Sequence, residues 1–67
     1  MEFREKLKQL RTDRGYTLKE TALKLGLSQN AFANYEAGIR EPSLSILKKI
    51  CDVFDVSADY LLGRTDY

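Results

Sequence analysis

Hydrophobic residues recur along the chain three and four positions apart, which predicts amphipathic α-helices rather than strands. The first helix is expected from about Glu2 to Arg14, where Phe3, Leu7 and Leu10 form an apolar stripe. No segment shows the strict alternation of apolar and polar residues that is typical of a half-buried strand. The pattern therefore predicts an all-α fold, a compact bundle of five helices.

The second half of the chain predicts two of these helices. A hydroxyl N-cap at Ser43 starts a helix over about Leu44 to Phe54, and Ser57 starts a short one from Ala58 to Leu62. The longer helix carries a broad apolar arc that should face the core: Leu44, Ile46, Leu47, Ile50, Cys51 and Phe54.

Between these segments, residues 17–38 read as two short helices joined by a tight turn. Thr17 followed by Glu20 has the form of a capping box, and Gly26 can end the first helix. Ser28 is a good N-cap for the second helix, which Gly38 should end. Helix, short glycine-containing turn and helix are the layout of a helix-turn-helix.

A helical wheel divides the second helix of this pair into two faces. Phe32 and Tyr35 point inward, while the opposite side carries amides and small methyl groups, with one amide at its flank. These outward candidates are Gln29, Asn30, Ala33 and Asn34. Asn and Gln bond adenine edges and an alanine methyl can meet a thymine methyl, so the face suits a major groove. It would equally suit solvent on an ordinary helical protein, and the pattern alone leaves both interpretations open.

Composition limits the other classes of function. Sixty-seven residues allow one small domain, expected to span 1–67 with a polar tail at 64–67. The chain has no histidine and one cysteine, Cys51, so we expect no metal, no cofactor and no enzymatic activity. Nothing resembles a signal peptide or a membrane span, and the lone cysteine fits a reducing compartment, so a cytoplasmic protein is expected.

Net charge is only +1, but it is unevenly distributed. Residues 1–40 carry eight Lys and Arg against five Asp and Glu, whereas residues 41–67 carry three against five. A basic front half and an acidic back half would orient the molecule towards DNA, although an asymmetry this small carries little weight.

From Gly15 to Gly63 the chain resembles the lambda-repressor/Cro-like (XRE-type) family of helix-turn-helix DNA-binding domains. The matching residues are Thr17, Glu20, Ala22, 25–28 (LGLS), Tyr35, Glu36, Gly38, 40–43 (REPS), Val56, Ser57 and 61–63 (LLG). The resemblance implies a bacterial or phage transcriptional regulator, expected to be a repressor, that reads double-stranded DNA with the helix at 29–37. It implies base contacts from Gln29, Asn30, Ala33 and Asn34, and phosphate contacts from Thr17, Lys19, Lys24 and Arg40.

The family pattern also bears on two charged positions. Arg11 continues the apolar stripe of the first helix, and Glu36 lies near the core edge of the recognition helix. Opposite charges turned inward usually pair, because an unpaired buried charge is costly, and the resemblance implies such an ion pair.

Two departures from the family keep a second function open. Leu18 stands where the family commonly has a phosphate-binding Gln, and Ile39 stands where it often has Lys. The alternative is a protein-interaction module, such as an antitoxin-like or accessory regulatory domain.

The last expectation concerns assembly. One short recognition helix reads too few base pairs to select one genomic site, so we expect a homodimer, at least on DNA, bound to a palindromic operator. The apolar residues expected at the two-fold contact lie late in the chain: Ile46, Tyr60, Leu61 and Tyr67.

Overall fold

The computed structural model describes residues 2–66 and folds them into five α-helices, with no strand in that range. The helices are α1 (Phe3–Asp13), α2 (Leu18–Leu25), α3 (Gln29–Ala37), α4 (Leu44–Phe54) and α5 (Ala58–Leu61). The all-α, five-helix prediction is confirmed, and every helix end lies within one residue of its predicted position.

Hydroxyl side chains fix the starts of four helices. The Oγ atom of each N-cap accepts a hydrogen bond of 3.0–3.2 Å from the backbone N–H three residues ahead. The four caps are Thr17, Ser28, Ser43 and Ser57. Each such cap is worth about 1 kcal/mol, which matters in helices as short as these.

The core takes one or two buried apolar side chains from every helix. They are Leu7 and Leu10 of α1, Ala22 and Leu25 of α2, Phe32 of α3, Ile50 and Phe54 of α4, and Leu61 of α5. Helix α1 packs against α3 and α5, α2 against α3 and α4, and α4 against α5. Phe32 is the one fully buried side chain of α3, and Tyr35 packs against the core beside it.

Two side chains that the sequence predicted on particular faces lie elsewhere. Leu44 was expected in the core stripe of α4, but it is 85% exposed. The buried face of α4 is centred on Ile50 and Phe54, and Leu44 lies about 100° round the helix from that direction.

Leu61 was expected at a two-fold contact, and this prediction is wrong. Its side chain is fully buried, because the single turn of α5 directs it into the core between α1 and α4. The neighbouring Leu62 is 52% exposed instead. Tyr67, predicted at the same contact, lies outside the described residues.

No helix within residues 2–66 is long and apolar enough to cross a membrane. The same range holds no group of three or more His, Cys, Asp or Glu residues placed to bind a metal ion.

Candidate nucleic-acid interface

The candidate interface is built on α2, the turn after it and α3. Gly26 ends α2 with φ of 71°, a left-handed conformation that glycine adopts without a Cβ clash. The chain then reverses through Leu27 to Ser28, where α3 begins, and Ala22 is buried where the two helices pack together. This arrangement fixes the exposed side of α3 relative to the start of α2.

At the start of α2, Thr17 and Glu20 cap each other. The hydroxyl of Thr17 accepts from the N–H of Glu20 at 3.0 Å, and the Glu20 carboxylate accepts from the N–H of Thr17 at 3.0 Å. The hydrogen bonds from the backbone and side chain of Thr17 lower the pKa of Glu20. The carboxylate is therefore held in its ionised form while it stabilises the helix end.

The exposed face of α3 begins at its first residue. Gln29 and Asn30 are exposed, while Ala33 and Asn34 are half-buried. Phe32, on the opposite face, is completely buried. The structure thus brings the four predicted base-reading residues to one side of α3, with the two N-terminal amides projecting furthest into solvent.

The predicted phosphate contacts are all exposed and lie outside α3. Thr17, Lys19 and Lys24 are exposed on or beside α2, and the Nζ atom of Lys24 lies 5.0 Å from the centre of the Tyr16 ring. Arg40 is exposed three residues beyond the end of α3. The predicted cations therefore lie on α2 and beyond the C-terminal end of α3, and α3 itself carries none.

Arg11 and Glu36 form a bidentate ion pair between α1 and α3. The distances are 2.7 Å from Arg11 Nε to Glu36 Oε2 and 3.2 Å from Nη2 to Oε1. Only 13% of the arginine side chain and 7% of the glutamate side chain are exposed. A third bond of 2.8 Å runs from Arg11 Nη1 to the carbonyl oxygen of Tyr16. One guanidinium thus ties α3 to α1 and to the segment that leads into α2.

One basic side chain beside α3 was missed by sequence reasoning. Arg4 of α1 lies across Gly38, where a Cβ atom added to the glycine would be only 2.8 Å from Arg4 Cδ. Its Nε atom is 3.1 Å from Glu2 Oε2, and both residues line a groove of about 520 Å³ shared with Arg40. No sequence pattern connects Arg4 with Gly38, because the two residues meet only through the packing of α1 on α3.

Comparisons with known proteins support this geometry. The helix-turn-helix family HTH_3 matches residues 7–61. The HTH-type transcriptional regulator ImmR of Bacillus subtilis (strain 168) is 41% identical over 66 residues, covering 98% of this chain and 52% of ImmR. The chain spans about half the length of the curated relatives that it matches first.

Two solved structures have the same fold. The master regulator for biofilm formation SinR, solved in complex with DNA, aligns with a TM-score of 0.81 and 33% identity over 88% of this chain and 95% of that chain. The P22 c2 repressor, in complex with a synthetic operator, aligns with a TM-score of 0.90 over 97% of this chain and 98% of that chain. At 22% identity, the second likeness shows the fold alone. The predicted resemblance is therefore confirmed: the chain belongs to the helix-turn-helix family HTH_3, whose members are lambda-repressor/Cro-like domains.

Proposed function

We propose that this chain is a sequence-specific DNA-binding domain of a transcriptional regulator, and that it acts as a repressor by occupying its operator. The observation that carries the proposal is the asymmetry of α3, which buries Phe32, exposes Asn30 on the opposite side and exposes Gln29 at its N-terminal flank. A relative of the same fold, SinR, has been solved in complex with DNA, which supports the same mode of binding here.

In this mode α3 enters the major groove with its N-terminal end leading, while α2 crosses the phosphate backbone. Gln29 and Asn30 then make bidentate contacts to adenine edges, and Asn34 reaches a further base from the flank. Ala33 packs its methyl group against a thymine methyl. The contacted half-site should therefore be rich in A·T pairs.

Phosphate contacts hold the domain in register. Lys19 and Lys24 meet one strand near α2, where the hydroxyl of Thr17 and the first amides of the helix also face the backbone. Arg40 meets the backbone near the other end of α3. Each neutralised phosphate contributes about −0.9 to the slope of log K against log salt concentration, so three cations per subunit should give a slope of about −2.7.

We further propose that two copies bind one palindromic operator through their α5 ends. With Leu61 in the core, the proposed contact keeps Tyr67 and the half-buried Ile46 and Tyr60, and it adds the exposed Leu62. Tyr60 also lines a hollow of about 650 Å³ together with Asp55 and Asp59. Apolar side chains with polar neighbours suit a small, reversible contact.

Selection of binding sites from random duplexes, followed by fluorescence anisotropy titrations, tests base reading. Replacing Gln29 or Asn30 with Ala should cost about 1–3 kcal/mol on the selected site and relax the preference at one base pair. Gln9→Ala is the matched control, since Gln9 is an exposed amide on α1 that should leave binding unchanged. A selected consensus with G·C pairs at the contacted positions, or equal effects from Gln9→Ala, would contradict the proposal.

Sedimentation of the protein with a duplex that carries two half-sites tests the assembly. We expect two subunits per duplex at saturation and weaker cooperative binding of the Tyr60→Ala variant. One subunit per duplex at saturation would refute the dimer while leaving DNA binding intact.

A further inference from the structure

We infer that Arg4, on α1, is an additional phosphate contact that acts at the C-terminal end of the recognition helix. The inference rests on the DNA-binding function proposed above. The inference adds to the proposed DNA interface a residue of α1, outside the helix-turn-helix. The observation behind it is that the Arg4 side chain lies against Gly38 at the end of α3.

The position of Arg4 is set by Gly38. This glycine ends α3 with φ of 77°, and the absence of a side chain there lets Arg4 lie against it. The ideal Cβ position on Gly38 is 3.5 Å from Arg4 Nε and 3.6 Å from Arg4 Nη1, as well as 2.8 Å from Cδ. The guanidinium of a residue in α1 is thereby held beside the last turn of α3.

The dimensions of α3 place that end near the DNA backbone. Nine residues at about 1.5 Å each give a helix about 14 Å long, whereas the major groove is about 12 Å wide. When the N-terminal residues of α3 lie over base edges, the C-terminal end reaches the edge of the groove, where the phosphates lie. Arg4 and Arg40 share the groove at that end with the carboxylates of Glu2 and Glu41, and the two guanidinium groups are the cations that an incoming phosphate would meet there.

The chemistry of Arg4 suits a phosphate in this position. A guanidinium carries five N–H donors in a planar fork, and the bond to Glu2 at 3.1 Å engages only Nε. The side chain is 51% exposed, so the outer edge of the fork can reach an incoming oxygen anion. Glu2, itself 70% exposed, holds the guanidinium in place before DNA binds and is easily displaced, since an exposed pair of this kind contributes little.

The test compares Arg4→Gln with Arg64→Gln in salt titrations on a duplex that carries one half-site of the selected operator, so that the proposed α5 contact between subunits does not affect the comparison. Arg64 is a matched control, because its exposed side chain pairs with Asp59 at 3.3 Å on α5, and its removal lowers net charge by the same amount. Arg4→Gln should make the slope of log K against log salt shallower by about 0.9 per bound subunit. It should also weaken binding to specific and unrelated duplexes by the same factor.

Arg64→Gln should leave the slope unchanged, and Arg4→Lys should restore most of it, because a lysine keeps the charge. Thermal melts of each variant establish that the fold is intact. Equal slopes for Arg4→Gln and Arg64→Gln would overturn the inference. Salt-dependent DNA binding by the unchanged protein would still support the proposed function. An unchanged protein whose duplex binding shows no salt dependence would overturn the proposed function itself.

Discussion

Removing Arg11 should destabilise this small domain more than any other single charge deletion, because the Arg11 side chain bridges three segments. The Arg11→Ala variant leaves the Glu36 carboxylate, only 7% exposed, without its two charge-assisted bonds, and it removes the donor to the Tyr16 carbonyl. Breaking a buried pair on one side costs about 3–5 kcal/mol. A domain of 67 residues has a total stability of about 3–10 kcal/mol, so the variant should be close to unfolding at 25 °C.

Glu36→Ala should cost less than Arg11→Ala. The guanidinium keeps its 2.8 Å bond to the Tyr16 carbonyl, and its side chain is nearly twice as exposed as that of the glutamate. The double variant, Arg11→Ala with Glu36→Ala, leaves no unpaired carboxylate. Its loss should therefore be smaller than the sum of the single losses by about 1–3 kcal/mol.

Urea unfolding of the unchanged protein, the two single variants and the double variant measures the coupling free energy between Arg11 and Glu36. A fixed concentration of sucrose keeps the single variants folded at low urea. The same cycle on Arg64 and Asp59 is the control, because that exposed pair should show a coupling below about 0.5 kcal/mol. Losses at Arg11 and Glu36 that add to within about 0.5 kcal/mol would refute the reasoning.

Three smaller predictions concern single side chains. The pKa of Glu20 is lower in the folded protein than in the unfolded chain. The ionised Glu20 carboxylate therefore stabilises the fold at pH values above the pKa of an unfolded glutamate, and this stabilisation is lost as the pH falls through the pKa of Glu20 in the folded protein. On acidification, the urea midpoint of Glu20→Gln should therefore fall less steeply than that of the unchanged protein. Identical profiles for the two proteins would contradict this. Burial and the charge of Asp52 raise the pKa of the Cys51 thiol. A disulfide reagent at neutral pH should therefore label the folded protein far more slowly than the urea-unfolded protein. Equal labelling rates would be inconsistent with a shielded thiol. Thr21 is fully buried and its hydroxyl donates to Thr17 O at 3.0 Å, an oxygen that already accepts from the Thr21 N–H at 3.1 Å. Thr21→Val should thus change the free energy of unfolding by less than about 1 kcal/mol, and by less than Thr21→Ala, which leaves a void.

The helix boundaries were predictable because the signals that set them are local. Ser28 and Gly38, for example, bracket α3 through a hydroxyl bond three residues ahead and a left-handed backbone conformation. Neither depends on the rest of the fold. A cap and a glycine ten residues apart therefore predict a helix whatever its neighbours are.

The faces of the helices were less predictable, since they depend on how each helix is rotated against its neighbours. The apolar arc of α4 is wide enough to admit more than one buried direction, and packing selected the one that exposes Leu44. The two adjacent leucines at the end of α5 were equally ambiguous in the sequence, and the fold buries Leu61 while Leu62 stays exposed. The contact of Arg4 with Gly38 carries no sequence signal at all, because it needs the crossing of α1 over the end of α3.

The small number of cations at this interface has a consequence for how the domain would find its operator. Affinity for unrelated DNA comes almost entirely from phosphate neutralisation, and three or four cations per subunit supply little of it at physiological salt. The amide face of α3 is uncharged, so Gln29 and Asn30 add affinity only where the base edges match their donors and acceptors. A second subunit doubles that matched contribution on a palindrome, whereas on unrelated sequence it adds only the weak phosphate contacts. A near-neutral domain that bound as the proposed pair would therefore gain discrimination between sites rather than overall affinity.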